Sequence, residues 1–173
     1  CFACSTSDVI SLNHMYQCKY PHYSITADCV VFGRNEAEGK VCLLLVERKN
    51  NPYKGCWAFP GGFMNPDETA EQCASRELFE ETSLRVEDWQ QIGAFSDVGR
   101  DPRERVVTVA FYAFVDLNSI GMVVGHDDAS CAKWFDINDL PDLAFDHAEI
   151  LAKAMKQTGL RSEDYAQKTG KEA

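Results

Sequence analysis

Three glutamates, Glu77, Glu80 and Glu81, lie close together in Thr69–Thr82, a segment whose length and composition predict a helix. Because successive helical residues are about 100° apart, Glu77 and Glu81 project from one stripe, about 40° from each other. The same stripe carries three small residues: Ala70, Cys73 and Ala74. We expect this stripe to pack inward, where clustered negative charges need a compensating cation. Carboxylate oxygens are ligands that suit Mg²⁺ or Mn²⁺.

Arg76 lies beside this acidic cluster. It precedes Glu80 by one helical turn, so the two side chains can pair and the arginine can orient that carboxylate. An ordinary surface helix with mixed charges would contain the same residue types. The carboxylates by themselves therefore leave both interpretations open.

The spacing around the glutamates is more specific than their composition. The fixed positions, separated by five, seven, one and one residues, are Gly62, Glu68, Arg76-Glu77-Leu78, Glu80-Glu81 and Ser83-Leu84. This pattern resembles the signature box of the Nudix (MutT-like) family at every fixed position except Ser83, where the family has glycine. Because that glycine serves as a left-handed helix C-cap, we expect serine to cost up to about 1 kcal/mol without removing a catalytic group.

The resemblance extends over roughly residues 24–155. Within the family, this region is similar to a bacterial subgroup that includes ADP-ribose pyrophosphatases. The resemblance is carried by the sequences ERKNNPYKGCWAFPGGF, RDPRERVVTVAFYAF and FDHAEILA. It implies an α+β fold, a Nudix-type αβα sandwich with a mixed β-sheet. It also implies hydrolysis of the diphosphate linkage of a nucleoside diphosphate joined to another moiety, with Mg²⁺ (or Mn²⁺) as the cofactor.

The resemblance further implies a ligand set for that metal ion. Glu77 and Glu81 would bind it directly, with Glu80 in the same cluster. The carbonyl of Gly61 would be a further ligand, since a glycine lets the backbone approach closely.

Other roles follow from the same resemblance. Arg76 would hold the glutamates in place, and Glu68 would support the start of the helix. The general base varies in this family and is often an acidic residue on a loop outside the box. Asp127 and Asp128, in the sequence GHDDAS, are our candidates, although an Asp-rich segment is also typical of a simple turn.

Candidate substrate-binding residues are basic and aromatic. Arg100, Arg103 and Arg105 form a basic cluster in an acidic chain, and arginine forks match phosphate oxygens. Salt bridges to neighbouring acidic residues are the alternative for these arginines. Phe63 and Tyr53 could stack on an adenine or ribose, or they could pack in the core.

The substrate itself is suggested by the resemblance. Pro102 lies near the place where a proline is associated with ADP-ribose specificity, and the tyrosine typical of dinucleoside polyphosphate hydrolases is missing from that region. We therefore expect ADP-ribose to be cleaved to AMP and ribose 5-phosphate. The alternatives are a non-catalytic domain that senses ADP-ribose or another nucleotide, and a pyrophosphohydrolase that removes oxidised nucleoside triphosphates. Similar proteins often form homodimers.

The elements that must position these residues follow from the hydrophobic pattern. Predicted strands are Ser24–Phe32, Val41–Arg48, Trp57–Phe59, Arg105–Asp116 and Ala132–Ile137. Pro60-Gly61-Gly62 is expected to break the third strand. A second helix is predicted over Ala144–Thr158, with Gly159 as its C-cap. We expect a flexible arm over residues 1–23, a single Nudix domain over 24–158 and a polar tail over 159–173.

Composition limits the partners. With 17 basic and 27 acidic residues, a net charge of −10 and a pI near 4.8, the chain disfavours nucleic acid. Its apolar runs are too short to cross a membrane, and its eight cysteines lie mostly among hydrophobic or structured neighbours, so a reducing cytoplasm is expected. Cys1, Cys4, His14 and Cys18 could bind zinc, but their spacing matches no common motif, and a loosely packed arm is the default expectation.

Overall fold

The computed structural model describes residues 21–35, 39–120 and 129–160 of the 173-residue chain. Cys1, Cys4, His14, Cys18, Asp127 and Asp128 lie outside these residues, as do most of the predicted N-terminal arm and most of the predicted tail. The predictions made for them therefore stay predictions.

Within the described ranges the chain forms a mixed seven-stranded sheet and two helices. The strands are β1 (Ser24–Asn35), β2 (Lys40–Arg48), β3 (Trp57–Ala58), β4 (Gly61–Phe63), β5 (Gln90–Phe95), β6 (Val106–Asp116) and β7 (Ala129–Asp136). The helices are α1 (Ala70–Thr82) and α2 (His147–Thr158). Strand β1 is central, parallel to β6 and antiparallel to β2 and β4. Strands β3 and β7 pair with β2, and β5 pairs with β6.

The two faces of the sheet are covered by different helices. In β1, the side chains of Ala27, Cys29 and Val31 pack in one core cluster with residues of α1. Val30 and Phe32 alternate with them and pack in a second cluster with residues of α2. Since successive strand residues point to opposite faces, this alternation makes two hydrophobic layers. The expected α+β sandwich with a mixed sheet is confirmed.

Helix α1 has defined ends. Thr69 is its N-cap and forms a capping box with Gln72, which satisfies free backbone N–H groups of the first turn. Ser83 is its C-cap, with a left-handed φ of 60°, and its N–H donates to the carbonyl of Phe79 at 2.8 Å. The chain therefore adopts at Ser83 the left-handed conformation for which a glycine is usually used.

Several element boundaries differ from the prediction. The Gly61-Gly62 segment does not simply break a strand but pairs with β1 as β4. Strand β5, which lacks strong alternation and contains a register shift near Gly93, was not predicted. Helix α2 begins at His147 rather than Ala144, because Phe145 has a left-handed φ of 55° that is incompatible with a helix. Gly159 ends α2 as expected, with a φ of 72°.

Neither helix of the described residues is long and apolar enough to span a lipid bilayer. The cysteines that the structure describes are free thiols: Cys29, Cys42, Cys56, Cys73 and Cys131.

Candidate active site

A cavity of about 530 Å³ opens where β1, β4, α1, the β2–β3 loop, the β5–β6 loop and the start of α2 meet. The predicted residues that line it are Gly61, Phe63, Arg76, Glu77, Glu80, Glu81, Arg100 and Arg103. Arg105 is the predicted substrate-binding residue that does not line this cavity. One concave site thus collects residues that are far apart in the sequence.

The glutamates of α1 face the glycine strand β4. Oε2 of Glu81 accepts a hydrogen bond from the Gly61 N–H at 3.1 Å. Burial, reinforced by the neighbouring charges of Glu77 and Asp28, raises the pKa of Glu81 to about 8. Burial also raises the pKa of Glu77. A Cβ atom on Gly62 would lie 2.5 Å from the Glu77 carboxyl group, so a larger residue there would displace that carboxyl group from its present position.

Arg76 connects the acidic side chains of the box. Its guanidinium makes two hydrogen bonds to the Glu68 carboxylate, at 2.6 and 2.9 Å, and one each to Glu77 at 2.7 Å and Glu80 at 3.1 Å. The predicted Arg76–Glu80 pair is therefore present. The Arg76 guanidinium also donates a hydrogen bond to the carbonyl of Phe63, which fixes α1 to the end of β4. Hydrogen bonding to Arg76 lowers the pKa of Glu68 to about 2.

The donor set of this wall is suitable for a hard divalent cation. It contains the carboxyl groups of Glu77, Glu80 and Glu81 on α1. Glu77 and Glu81 are partly buried with raised pKa values, and a nearby cation would favour their ionised forms. In the part of the chain that the structure describes, no three acidic, histidine or cysteine side chains are already grouped as a metal site. The carboxylates of Glu77 and Glu80 accept hydrogen bonds from the Arg76 guanidinium, whereas that of Glu81 accepts one from the Gly61 N–H.

The three predicted arginines differ in their surroundings. Arg100 is buried and makes two 2.7 Å hydrogen bonds to Asp146 at the start of α2. Arg103 pairs with the buried Asp101, one of the acidic neighbours considered as alternative partners, and its guanidinium lies 5.2 Å above the Phe63 ring. Arg105 donates to two backbone carbonyls, at Ser96 and Asp97. Arg100 and Arg105 thus fasten the β5–β6 loop.

Arg48, which sequence reasoning missed, lines the same cavity. Its Nε donates to the Pro52 carbonyl at 2.9 Å, and its guanidinium lies 4.7 Å above the ring of Phe145. Among the described residues no carboxylate lies within ion-pair distance of it, unlike Arg76, Arg100 and Arg103. Burial and the nearby positive charge of Arg103 lower its pKa. A cation in this position is suited to bind an anionic ligand.

Asp28 is a second residue that sequence reasoning missed. It is a buried carboxylate in the middle of β1 that lines the cavity. The sequence held a signal for it, since a charged residue in an otherwise apolar strand is rarely buried without a role. The pairing of β1 with β4 places Asp28 opposite Gly61.

The NUDIX domain family model matches residues 22–156. The chain belongs to the Nudix family. This membership makes it a Nudix hydrolase, a class of enzymes that generally uses divalent metal ions.

Similar proteins include both an enzyme and a regulator. The chain is 40% identical over 137 residues to the ADP-ribose pyrophosphatase of Methanocaldococcus jannaschii, covering 79% of this chain and 76% of that protein. It is 32% identical over 139 residues to the ADPR responsive transcriptional repressor NtrR of Acinetobacter baylyi, covering 78% of this chain and 54% of the repressor.

Among solved structures, the Nudix domain of Shewanella oneidensis NrtR in complex with ADP ribose superimposes with a TM-score of 0.75 at 28% identity, covering 85% of this chain and 96% of that domain. A MutT/nudix family protein from Enterococcus faecalis superimposes with a TM-score of 0.77 at 29% identity, covering 97% of this chain and 76% of that one.

In this Nudix domain, five residues of the box line the cavity, and Arg48, Arg103 and Phe145 line it as well. The five are Gly62, Arg76, Glu77, Glu80 and Glu81. Phe63 is 41% exposed, so its ring is available at the cavity rather than packed in the core. Tyr53 is similarly exposed but packs against Phe145, with ring centroids 4.7 Å apart.

Proposed function

We propose that this Nudix hydrolase is a divalent-metal-dependent pyrophosphatase that cleaves ADP-ribose, or a related nucleoside-diphosphate sugar, to AMP and a sugar phosphate. One observation carries the proposal: a single cavity is lined by the partly buried carboxyl groups of Glu77 and Glu81 and also by Arg48, a cation without a carboxylate partner among the described residues. A diphosphate that joins a nucleoside to a sugar fits this arrangement of charges. The 40% identity to an ADP-ribose pyrophosphatase supports the substrate.

The reaction consumes one water molecule. The water oxygen forms a new bond to one phosphorus, the bond from that phosphorus to the bridging oxygen breaks, and the bridging oxygen leaves with the other phosphate. A bound Mg²⁺ or Mn²⁺ would supply Lewis-acid stabilisation of the diphosphate charge and a lowered pKa for water.

Residues of this chain would bind the cation, orient its carboxylate ligands and accept the proton of the attacking water. Glu77, Glu80, Glu81 and the Gly61 carbonyl would hold the cation, and Arg76 would keep the carboxylates oriented through the hydrogen bonds described above. For the proton of the attacking water, Asp127 or Asp128 remains our proposed acceptor.

The opposite part of the cavity would bind the substrate. Arg48 would bind a phosphate, with Arg103 beside it as a second cation. The exposed ring of Phe63, already faced by the Arg103 guanidinium, would stack on the adenine or a ribose. Arg100 would act by holding the loop that carries Arg103 rather than by binding phosphate, because it is bound by Asp146 and its side chain is only 5% exposed. Arg103 is also bound by a carboxylate, that of Asp101, but its side chain is 41% exposed and accessible to a substrate.

A sensing role is the second candidate. It is favoured by the 32% identity to a repressor described as ADPR responsive, and by the similarity to a NrtR Nudix domain complexed with ADP ribose. A sensor would bind ADP-ribose in the same cavity without cleaving it, which makes turnover the discriminating observation.

The test is a product assay with Mg²⁺ and, in parallel, Mn²⁺. Purified protein is offered ADP-ribose, NADH, diadenosine polyphosphates and 8-oxo-dGTP separately. We expect AMP and ribose 5-phosphate from ADP-ribose. Pyrophosphate release from 8-oxo-dGTP would instead indicate a pyrophosphohydrolase of oxidised nucleoside triphosphates, and ADP-ribose binding without turnover of any compound would indicate the sensor.

The cellular setting is proposed on chemical grounds. Free cysteine thiols persist in a reducing compartment, so we propose the cytoplasm. Homodimerisation stays a prediction, to be tested by light scattering at several protein concentrations. We propose no nucleic-acid partner, given the net charge of −10.

A further inference from the structure

His147, the first residue of α2, is buried at the inner lining of the cavity and contacts the segment that leads into β4. Its Nδ1 accepts a hydrogen bond from the Phe59 N–H at 2.9 Å. The two rings also stack almost in parallel, with centroids 4.7 Å apart and an angle of 9° between the planes. One side chain of α2 thus contacts both the backbone and the ring of Phe59.

This hydrogen bond occurs at a point where the sheet supplies no partner. Phe59 lies between β3 and β4, and it is buried, so its N–H would be unsatisfied without an acceptor. The next residue, Pro60, accepts a hydrogen bond at its carbonyl from the Cys29 N–H at 2.9 Å. Gly61 then donates its N–H to Glu81. The segment Phe59–Gly61 is therefore held by α2, by β1 and by α1 in turn.

The other side of the imidazole faces the carboxylate of Asp28. Because Nδ1 accepts a hydrogen bond, a neutral ring carries its proton on Nε2, which lies 3.8 Å from Oδ1 of Asp28. The other carboxylate oxygen of Asp28 is 3.7 Å from Arg100, and Arg100 is bound by Asp146, the residue before His147. These four side chains close a ring of contacts around the start of α2.

We propose that His147 is a positioning residue of this enzyme. By accepting the Phe59 N–H, it holds the Phe59–Gly61 segment at the depth at which the Gly61 carbonyl and the Glu81 carboxylate form one cation site. The inference rests on the proposed function, because the cation site is the one proposed above. In this role His147 contacts neither the substrate nor the cation and acts through Phe59.

Two matched substitutions separate the hydrogen bond from packing. In His147→Asn the amide oxygen can occupy the place of Nδ1, whereas in His147→Gln it reaches the place of Nε2. Both remove the ring that stacks on Phe59, so the loss of packing is similar in the two variants. They differ in whether an acceptor for the Phe59 N–H remains.

The direct readout is Mn²⁺ affinity, measured by electron paramagnetic resonance of the free ion. We expect His147→Gln to weaken Mn²⁺ binding by about 10- to 100-fold and His147→Asn to recover affinity to within a few-fold of wild type, as for substitutions that disturb the support of metal ligands. In the metal-free protein, amide hydrogen exchange at Phe59 and Gly61 should be faster in His147→Gln than in His147→Asn. With ADP-ribose, kcat should fall in the same order while KM changes little.

Equal losses of Mn²⁺ affinity in both variants would assign His147 a packing role and overturn the proposal, as would wild-type affinity in His147→Gln. If His147→Gln does not fold, His147→Asn is compared with wild type: it keeps an acceptor for the Phe59 N–H but loses the ring stacking, so we expect Mn²⁺ affinity within a few-fold of wild type. A loss of 10-fold or more in that variant would overturn the proposal. Failure of the wild-type protein to cleave ADP-ribose would count against the proposed function only, since Mn²⁺ binding is measured independently.

Discussion

The Gly61 N–H donates to Oε2 of Glu81 at 3.1 Å, which joins the strand β4 to the last turn of α1. These two residues are 20 positions apart in the chain, yet both line the same cavity. The contact is possible because glycines allow β4 to lie between β1 and α1: a side chain on Gly61 would collide with the backbone of Ala27. The glycines and the glutamates therefore act as one structural unit.

Substitution of Gly62 by alanine tests this unit. The new Cβ would lie 2.5 Å from the carboxyl group at the flexible end of Glu77 and would displace it, so we expect weaker Mg²⁺ activation with only a small change in the free energy of unfolding. Thermal unfolding and the Mg²⁺ dependence of kcat check the prediction. Gly99→Ala is the control, since a Cβ there meets no atom within 4 Å and only its left-handed φ of 85° contributes a cost. A Gly62→Ala variant with normal Mg²⁺ activation would contradict the close packing described here.

Arg48→Ala tests the phosphate-binding role. A charge-assisted hydrogen bond contributes about 1.5–3 kcal/mol, so we expect kcat/KM for ADP-ribose to fall by roughly 10- to 100-fold, mainly through a higher KM. Arg85→Ala removes an equal charge from the Phe79 ring, outside the cavity, and should leave both parameters near wild type. If the two variants behave alike, Arg48 contributes only to the general charge of the surface.

Arg76 and Glu68 predict a specific dependence of stability on pH. Hydrogen bonding to Arg76 lowers the pKa of Glu68 from 4.5 to about 2, so the folded state binds fewer protons than the unfolded state between these values. The contribution of the Glu68–Arg76 pair to the free energy of unfolding is therefore complete above about pH 4.5, and it is lost as the pH falls towards 2. Glu68→Gln should lower the free energy of unfolding at pH 7 and converge with wild type at low pH.

Urea unfolding at a series of pH values, with Glu87→Gln as a control on an exposed glutamate, measures this difference. A difference between wild type and Glu68→Gln that stays constant with pH would exclude the ion pair as its cause.

Ser83→Gly restores the residue that the Nudix box usually has. Since Ser83 already has a left-handed φ of 60°, we expect glycine to stabilise the protein by up to about 1 kcal/mol and to change the rate by no more than a few-fold. Gly159→Ala makes the opposite change at the C-cap of α2, where φ is 72°, and should destabilise by a similar amount. A large gain in rate for Ser83→Gly would show that the serine limits catalysis.

The parts of this fold that depend on local pattern were predictable from sequence. The helix α1 and its charged face follow from the spacing of Arg76, Glu77, Glu80 and Glu81. The left-handed conformation of Ser83 follows from its position as the C-cap of that helix. The long strand β6 was predicted to within one residue because β-branched and aromatic side chains run through it.

What could not be predicted depends on contacts between distant segments. Arg48 reaches the cavity because the loop after β2 folds beside the start of α2, which leaves no local pattern. For Asp28 the sequence offers a charged residue within a strand, but its place at the cavity depends on the pairing of β4 with β1. Arg100 is close in sequence to two other arginines, which suggested a phosphate-binding cluster. Its guanidinium instead binds the carboxylate of Asp146, 46 residues away in the chain. The polar strand β5 was missed because its residues alternate weakly and Gly93 shifts its register.

The cavity that contains Glu81 is proposed to hydrolyse ADP-ribose with the help of a divalent cation. The most direct test measures AMP and ribose 5-phosphate production by wild type and Glu81→Gln side by side, with saturating Mg²⁺ and with thermal unfolding of both proteins as a check on the fold. We expect equimolar products from wild type and, at an unchanged fold, a rate lower by on the order of 100-fold or more in Glu81→Gln, because several kcal/mol of charge stabilisation are lost. Equal rates for the two proteins, or no products from wild type, would contradict the proposal.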